Sequence, residues 1–327
     1  MAAEPKNFNQ SRRKTLSEEE EMPSTPLDSA LALPPVLPSS ARWLVTGAGG
    51  QLGRAVLALA SEHGIRAQGV SHAELDVADP EAVKRMLERA RPEVVLNCAA
   101  FTEVDRCESE PEAAARTNAC APAVLATACA RGPLLVQLST DYVFAGRTCT
   151  PISEDAPTEP ACVYGKTKLA GELGVAEAGG EHLIVRTQWV FGSGPNFVRT
   201  VLHAASQGVA LRVVEDQLGR PTWTTALARA IFGAVEVGAR GRLHLACEGV
   251  ASWFDLARAV VAEGARRGLH PRVDVIAIPT RDMPRPAKRP AYGVLGLERA
   301  RGLGLVLPHW REALDGYLDA EREGRDA

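Results

Sequence analysis

The sequence predicts an α/β chain, and three observations carry that reading. Short apolar, β-branched runs recur at Arg42–Thr46, Ala67–Val70, Glu93–Asn97, Leu134–Leu138 and His182–Arg186. Alanine-rich stretches with helical spacing separate them, at about 50–62, 80–91, 111–131 and 162–178. The first run ends in glycines, as a strand does when it turns directly into a helix. Strand alternating with helix at this rhythm requires right-handed crossovers and a parallel sheet covered on both faces. The predicted architecture is a Rossmann-type doubly wound parallel sheet with a smaller C-terminal α/β substrate-binding domain.

Along the chain, residues 1–40 come first, with the charge block Glu18–Glu21 and then Pro34, Pro35 and Pro38. Such a segment buries too little apolar surface to offset its ordering entropy, so a disordered tail is expected there. A dinucleotide-binding domain is expected over 41–192, with segments returning at about 220–250. The substrate-binding domain is expected mainly over 193–327, where breaks at Gly219–Pro221 and Pro279–Pro290 shorten the elements.

Composition excludes several classes. The 327 residues are 46% hydrophobic and 24% charged, which is globular usage. No apolar run is long enough to span a bilayer, and a net charge of −3 gives no basic field for nucleic acid or anionic lipid. The first 40 residues carry no secretory pattern, so a cytoplasmic location is the expectation. The seven cysteines never form C-x-x-C, and the seven histidines form no H-x-x-x-H or H-x-H pair. Neither a disulfide framework nor a metal is therefore expected.

Thr46-Gly-Ala-Gly-Gly-Gln-Leu-Gly53 follows the first strand and opens the first helix. Gly47, Gly50 and Gly53 permit a tight turn, close backbone approach to a pyrophosphate and close helix–strand packing. The diphosphate would lie on the free N–H groups of the helix N-terminus. The second strand ends Gly69-Val-Ser-His72 without a carboxylate to hold the 2′-hydroxyl of NADH, which favours NADPH. No arginine stands there either, so NADH stays open. Asp76 can meet the adenine side or cap the helix that begins after Asp79-Pro80.

Val163-Tyr-Gly-Lys-Thr-Lys168 puts Tyr164 and Lys168 four apart in a helical segment, on one face. A phenol titrates near ~10, so proton transfer at neutral pH needs a neighbouring cation, and Lys168 supplies one. Ser139, Thr140 and Asp141 lie just past an apolar strand, where the carboxyl ends of an open sheet line a ligand crevice. They can orient a carbonyl toward the tyrosine or cap the turn.

These motifs resemble the extended short-chain dehydrogenases and, more narrowly, the dTDP-4-dehydrorhamnose reductases. The likeness continues through Asn97–Asp105, Glu108–Glu112, Arg186-Thr-Gln-Trp-Val-Phe-Gly192, Asn196-Phe197 and Asp216–Thr222, covering about 42–320. The resemblance implies an NADPH-dependent reductase of the C4 ketone of a dTDP-4-keto-6-deoxy-L-hexose. It implies that Gly50, Gln51 and Leu52 cradle the pyrophosphate and that Asp76 and Val77 border the adenine. Ala100, Phe101 and Thr102 would line the cofactor channel. Tyr164 would donate the proton, with Lys168 holding the nicotinamide ribose and lowering the tyrosine pKa. Thr140 and Asp141 would bind the sugar, Trp189 would pack on the hexose, and Arg289 would help hold the nucleotide diphosphate.

Phe101 departs from the histidine common among members, and Gln188 and Arg220 occupy positions that vary with substrate. No acidic cluster matches the magnesium site that some members place at a dimer interface, so Mg2+ is not expected; a homodimer is. Reductases of other dTDP-4-keto sugars, as in dihydrostreptose formation, share the pattern. So does the regulatory β subunit of methionine adenosyltransferase, which retains a Tyr-x-x-x-Lys. An epimerase or dehydratase that keeps its NAD is a third reading.

Overall fold

The computed structural model describes residues 41–322, and the tail expected over 1–40 lies outside the described residues. The apolar runs form strands because helices cover both of their faces. Five of them are β1 (Arg42–Thr46), β2 (Arg66–Val70), β3 (Val94–Asn97), β4 (Leu134–Thr140) and β5 (His182–Thr187). A sixth main-sheet strand, β6 (Gly241–His244), returns from later in the chain. All six are parallel, in the order β6-β5-β4-β3-β1-β2.

Side chains alternate between two cores, as the two-residue period of a strand requires. Trp43, Val45, Leu96, Val136 and Val185 enter one cluster, with Val56 and Leu59 of α1 (Gln51–Glu62). Leu44, Val95, Leu135 and Ile184 enter the other, with Val83 and Met86 of α2 (Pro80–Ala90). The edge strand β2 is the least buried, in keeping with its sequence Arg-Ala-Gln-Gly-Val. Asp79 caps α2 by accepting from the N–H groups of Glu81 and Ala82, with Pro80 in the first turn.

After β3 come α3 (Val104–Ser109), α4 (Pro111–Ala115), a π-helical turn (Arg116–Cys120) and α5 (Ala121–Cys129). The helix expected over 162–178 is α6 (Val163–Glu177). It lies very close to its neighbours: a Cβ at Gly171 would stand 2.2 Å from the Asn118 carbonyl oxygen. Gly171→Ala is therefore expected to cost ~1–3 kcal/mol by overpacking, measured as a lower urea midpoint at unchanged slope.

Beyond β5 the chain forms α7 (Phe197–Ser206), α8 (Thr224–Glu236), α9 (Trp253–Arg266), α10 (Glu298–Gly302) and α11 (Trp310–Arg322). A two-stranded parallel sheet joins Leu211–Val214 to Val275–Ile278. Residues 287–297 then run back as a strap toward the end of β4. Ile152 bridges Leu295 within it, and Leu218 bridges Tyr292. The strand order reverses between β1 and β3, and ligands of open α/β sheets bind at the carboxyl ends there.

Candidate active site

The reversal point opens into a cleft of about 350 Å³, lined by Gly47, Gly50, His72, Asp76, Ala99 and Phe101 among others. Val77, Ala100 and Arg116 also line it, whereas Thr102 beside them is exposed. Helix α1 begins at Gly50 with no side-chain cap and no acidic residue in its first turn. Its first N–H groups are thus left for an anion, and this geometry suits a dinucleotide diphosphate. Gly47 has φ +65°, and a Cβ there would stand 2.6 Å from the Ala99 nitrogen, so the loop admits only glycine. Gln51 turns its amide away to the Pro195 carbonyl (3.1 Å), and Leu52 and Gly53 pack inward against the core and the loop.

Asp76 accepts from the Ala78 N–H at 3.0 Å and pairs with Arg116. The Ala78 N–H first, and then the arginine, hold its carboxyl below the usual range. The capping role that competed for Asp76 falls to Asp79. Arg116 is a cation in the cleft that inspection of the β2 end alone does not reveal, because it comes from the π-helical turn more than 40 residues later.

Tyr164 and Lys168 are buried one turn apart on α6, beside the end of β4. Lys168 Nζ donates to the Leu138 carbonyl at 2.7 Å. Burial pulls its pKa down to about 8, opposed by Glu172 and Cys98. The Tyr164 phenol meets the Thr140 hydroxyl, and Tyr142 packs edge-to-face on its ring at 5.4 Å. Burial, followed by the Asp141 charge, raises the phenol well above its ordinary value. The expected lowering by Lys168 is not what the structure shows: the lysine faces the Leu138 carbonyl, and desolvation dominates the phenol. A phenol held neutral in this way is in the right state to give up a proton.

Strand β4 extends through Ser139 to Thr140, so Thr140 sits on its last residue and Asp141 opens a 3-10 turn. Thr140 donates to Asp141 Oδ1 at 3.1 Å and accepts from the Tyr142 N–H. Burial pushes Asp141 up to about 7. The strap closes on it: a Cβ at Gly293 would lie 2.4 Å from Asp141 Oδ2. Gln188 holds the strap through the Gly293 carbonyl (2.8 Å) and the Leu295 N–H (3.1 Å), and Arg220 through the Leu295 carbonyl (2.8 Å).

Two expected sugar-nucleotide contacts have protein partners. Arg289 grips Asp105 bidentately at 2.8 and 2.9 Å and also donates to the Ala287 carbonyl, tying the strap to α3. Trp189 stacks on Trp253 at 3.8 Å, which uses one ring face for protein contact. Its backbone has φ 48°, a costly conformation for a bulky residue and one typical of functional sites.

Asn118 has no signal in the linear pattern, yet it couples the two halves of the site. Its side chain accepts from the Phe101 N–H (2.8 Å) and donates to the Phe101 carbonyl (3.0 Å) and to Thr167 (3.3 Å). Asn118→Leu is expected to destabilise by ~2–4 kcal/mol through the unpaired Phe101 backbone groups and to raise the KM for cofactor. Thermal unfolding and initial rates would measure both. No group of three or more histidine, cysteine or acidic side chains among the described residues could hold a metal ion, and the seven cysteines are free thiols. No described helix is long and apolar enough to cross a membrane.

Comparison with known proteins places this geometry. The family model for the RmlD substrate binding domain matches residues 41–323. A Streptomyces antibioticus protein named probable dTDP-4,6-dihydroxy-2-methyloxan-3-one 4-ketoreductase is 44% identical, covering 84% of this chain and 93% of that one. The dTDP-4-dehydrorhamnose reductase of Streptomyces griseus is 42% identical over 84% of this chain and 91% of its own. The crystal structure of the Bacillus anthracis dTDP-4-dehydrorhamnose reductase in complex with NADP is also similar. It has a TM-score of 0.81 and 31% identity, covering 85% of this chain and 99% of that one.

Proposed function

The chain belongs to the RmlD substrate-binding-domain family, and within it we propose an NADPH-dependent reductase of a dTDP-4-keto-6-deoxy sugar. The substrate is dTDP-4-dehydro-6-deoxy-L-mannose and the product dTDP-L-rhamnose. The observation that carries this reading is the buried Tyr164 phenol beside Thr140 at the carboxyl end of β4, with Lys168 one turn along.

The named relatives support the substrate class, and the NADP complex supports the cofactor. Gly47, Gly50 and the first turn of α1 hold the diphosphate, with Asp76, Val77 and Arg116 at the adenosine and Phe101 beside the channel. When bound, NADPH supplies a hydride to C4. Thr140 donates to the ketone oxygen and keeps it facing Tyr164. Tyr164 delivers the proton to that oxygen as negative charge develops on it. Lys168 steadies the resulting phenolate by its positive charge. Asp141 and Trp189 position the hexose, and Arg289 supports the strap above it.

A second reading has its own support: the 44% identical relative is named for a different dTDP-linked ketone. A reductase in a glycosylated natural-product route fits the same site. Purified protein should consume NADPH, followed at the reduced-nicotinamide absorbance, when given dTDP-4-dehydro-6-deoxy-L-mannose. Faster consumption with another dTDP-4-keto sugar would move the assignment to that sugar. NADPH binding without turnover of any of them would refute the reductase and favour a regulatory subunit.

A further inference from the structure

Tyr164, Lys168 and Glu172 follow one another at four-residue spacing on α6, and all three are buried. That spacing puts them on one helix face. Glu172 is gripped from β5: Arg186 Nη2 and Nε donate to its two oxygens at 2.6 and 2.9 Å. Arg186 is 0% exposed. Its Nη1 donates to the Glu154 carbonyl at 3.2 Å, and its guanidinium lies 4.9 Å from the centre of the Phe144 ring. A fork closed on both carboxylate oxygens fixes orientation as well as distance. Burying two charges so deeply adds little net stability over an apolar pair, so stability alone does not account for it.

We propose that the Glu172–Arg186 pair positions Lys168: it locks the catalytic face of α6 to β5 and supplies the counter-charge that keeps the lysine an ammonium. The proposal rests on the reductase reading of Tyr164 and Lys168. Around the lysine stand Tyr164 and Glu172 from its own helix, the Leu138 carbonyl at the end of β4 and the Cys98 thiol after β3. Burial pushes that thiol up to about 12, so it is neutral, and Glu172 is the negative charge among these groups. Burial lowers Lys168 and Glu172 raises it. Removing the Glu172 charge must therefore let the lysine lose its proton at lower pH.

The test uses the full chain with Glu172→Gln and Arg186→Gln combined, which removes both charges without stranding either. Circular dichroism establishes folding. NADPH affinity by nicotinamide fluorescence, and kcat with the keto sugar, are then followed against pH. The expected result is an alkaline limb displaced downward by about one pH unit in both, a loss of roughly fivefold at pH 8 that grows toward about tenfold at higher pH and largely disappears at pH 6. Lys168→Met, which should lack the limb, identifies it as the lysine's.

A folded double variant with the wild-type limb, or with the same loss at every pH, would overturn the proposal. If the double variant does not fold, Glu172→Asp takes its place. Keeping the charge on a shorter arm, it should leave the limb in place and lower kcat, and a displaced limb there would count against the proposal. Wild-type protein that turns over no keto sugar would defeat the reductase reading alone, because the fluorescence limb needs no sugar.

Discussion

Tyr164→Phe is expected to lose turnover of the keto sugar by ~10²–10⁴-fold, with NADPH affinity within about threefold of wild type. The magnitude is that of a general acid removed from a site that keeps its shape. The phenyl ring still packs with Tyr142, Cys107, Cys162 and Ala287, so the pocket wall survives and only the hydroxyl is lost. Steady-state rates and fluorescence binding on the same preparation would separate chemistry from affinity. A variant retaining activity to within about tenfold of wild type would mean that the proton comes from elsewhere, with Thr140 and Asp141 the nearest alternatives.

Arg186→Leu is expected to cost ~3–5 kcal/mol, a large share of the ~5–15 kcal/mol that holds a typical domain together. The cost comes from Glu172, which would remain buried as a carboxylate without its guanidinium, while the Glu154 carbonyl also loses a donor. Arg240 offers the contrast. Its partner Glu181 and its own side chain are 69% and 42% exposed, so Arg240→Ala should change stability by no more than ~1 kcal/mol. Urea unfolding of the two variants, side by side, measures the difference. Equal effects would show that the interior pair is not set apart from a surface one.

The parts of the molecule readable in the sequence are those governed by local patterns. The strand expected over 67–70 spans Arg66–Val70, and the helix expected over 162–178 spans Val163–Glu177, because two-residue and four-residue periods report burial directly. The glycine loop reads correctly for the same reason: its turn and its helix N-terminus are set by neighbours in sequence. What the pattern hides are partners brought together by tertiary packing. Asn118 looks like an ordinary helical residue until Phe101 and Thr167 surround it.

Gln188 and Arg220 have the look of substrate-facing positions, yet they hold the strap. Arg289 reads as a cation for a diphosphate until Asp105 closes on it. The direction of the Tyr164 shift is hidden as well, since spacing places a lysine nearby but carries no measure of desolvation.

The strap that covers Asp141 is made well after the strand beneath it. Arg289 leaves the ribosome 184 residues after its partner Asp105, a delay of about 10–40 s at ~5–20 residues per second. For the later part of that interval, once residue 141 is made, the nascent chain holds β1 to β4 and the glycine loop, while Asp105 and Asp141 have no strap above them. Emergence of the strap therefore completes the site. A chain truncated before residue 287 would lack the cover over Asp141 and also the buried Trp310, Leu314 and Tyr317 of α11.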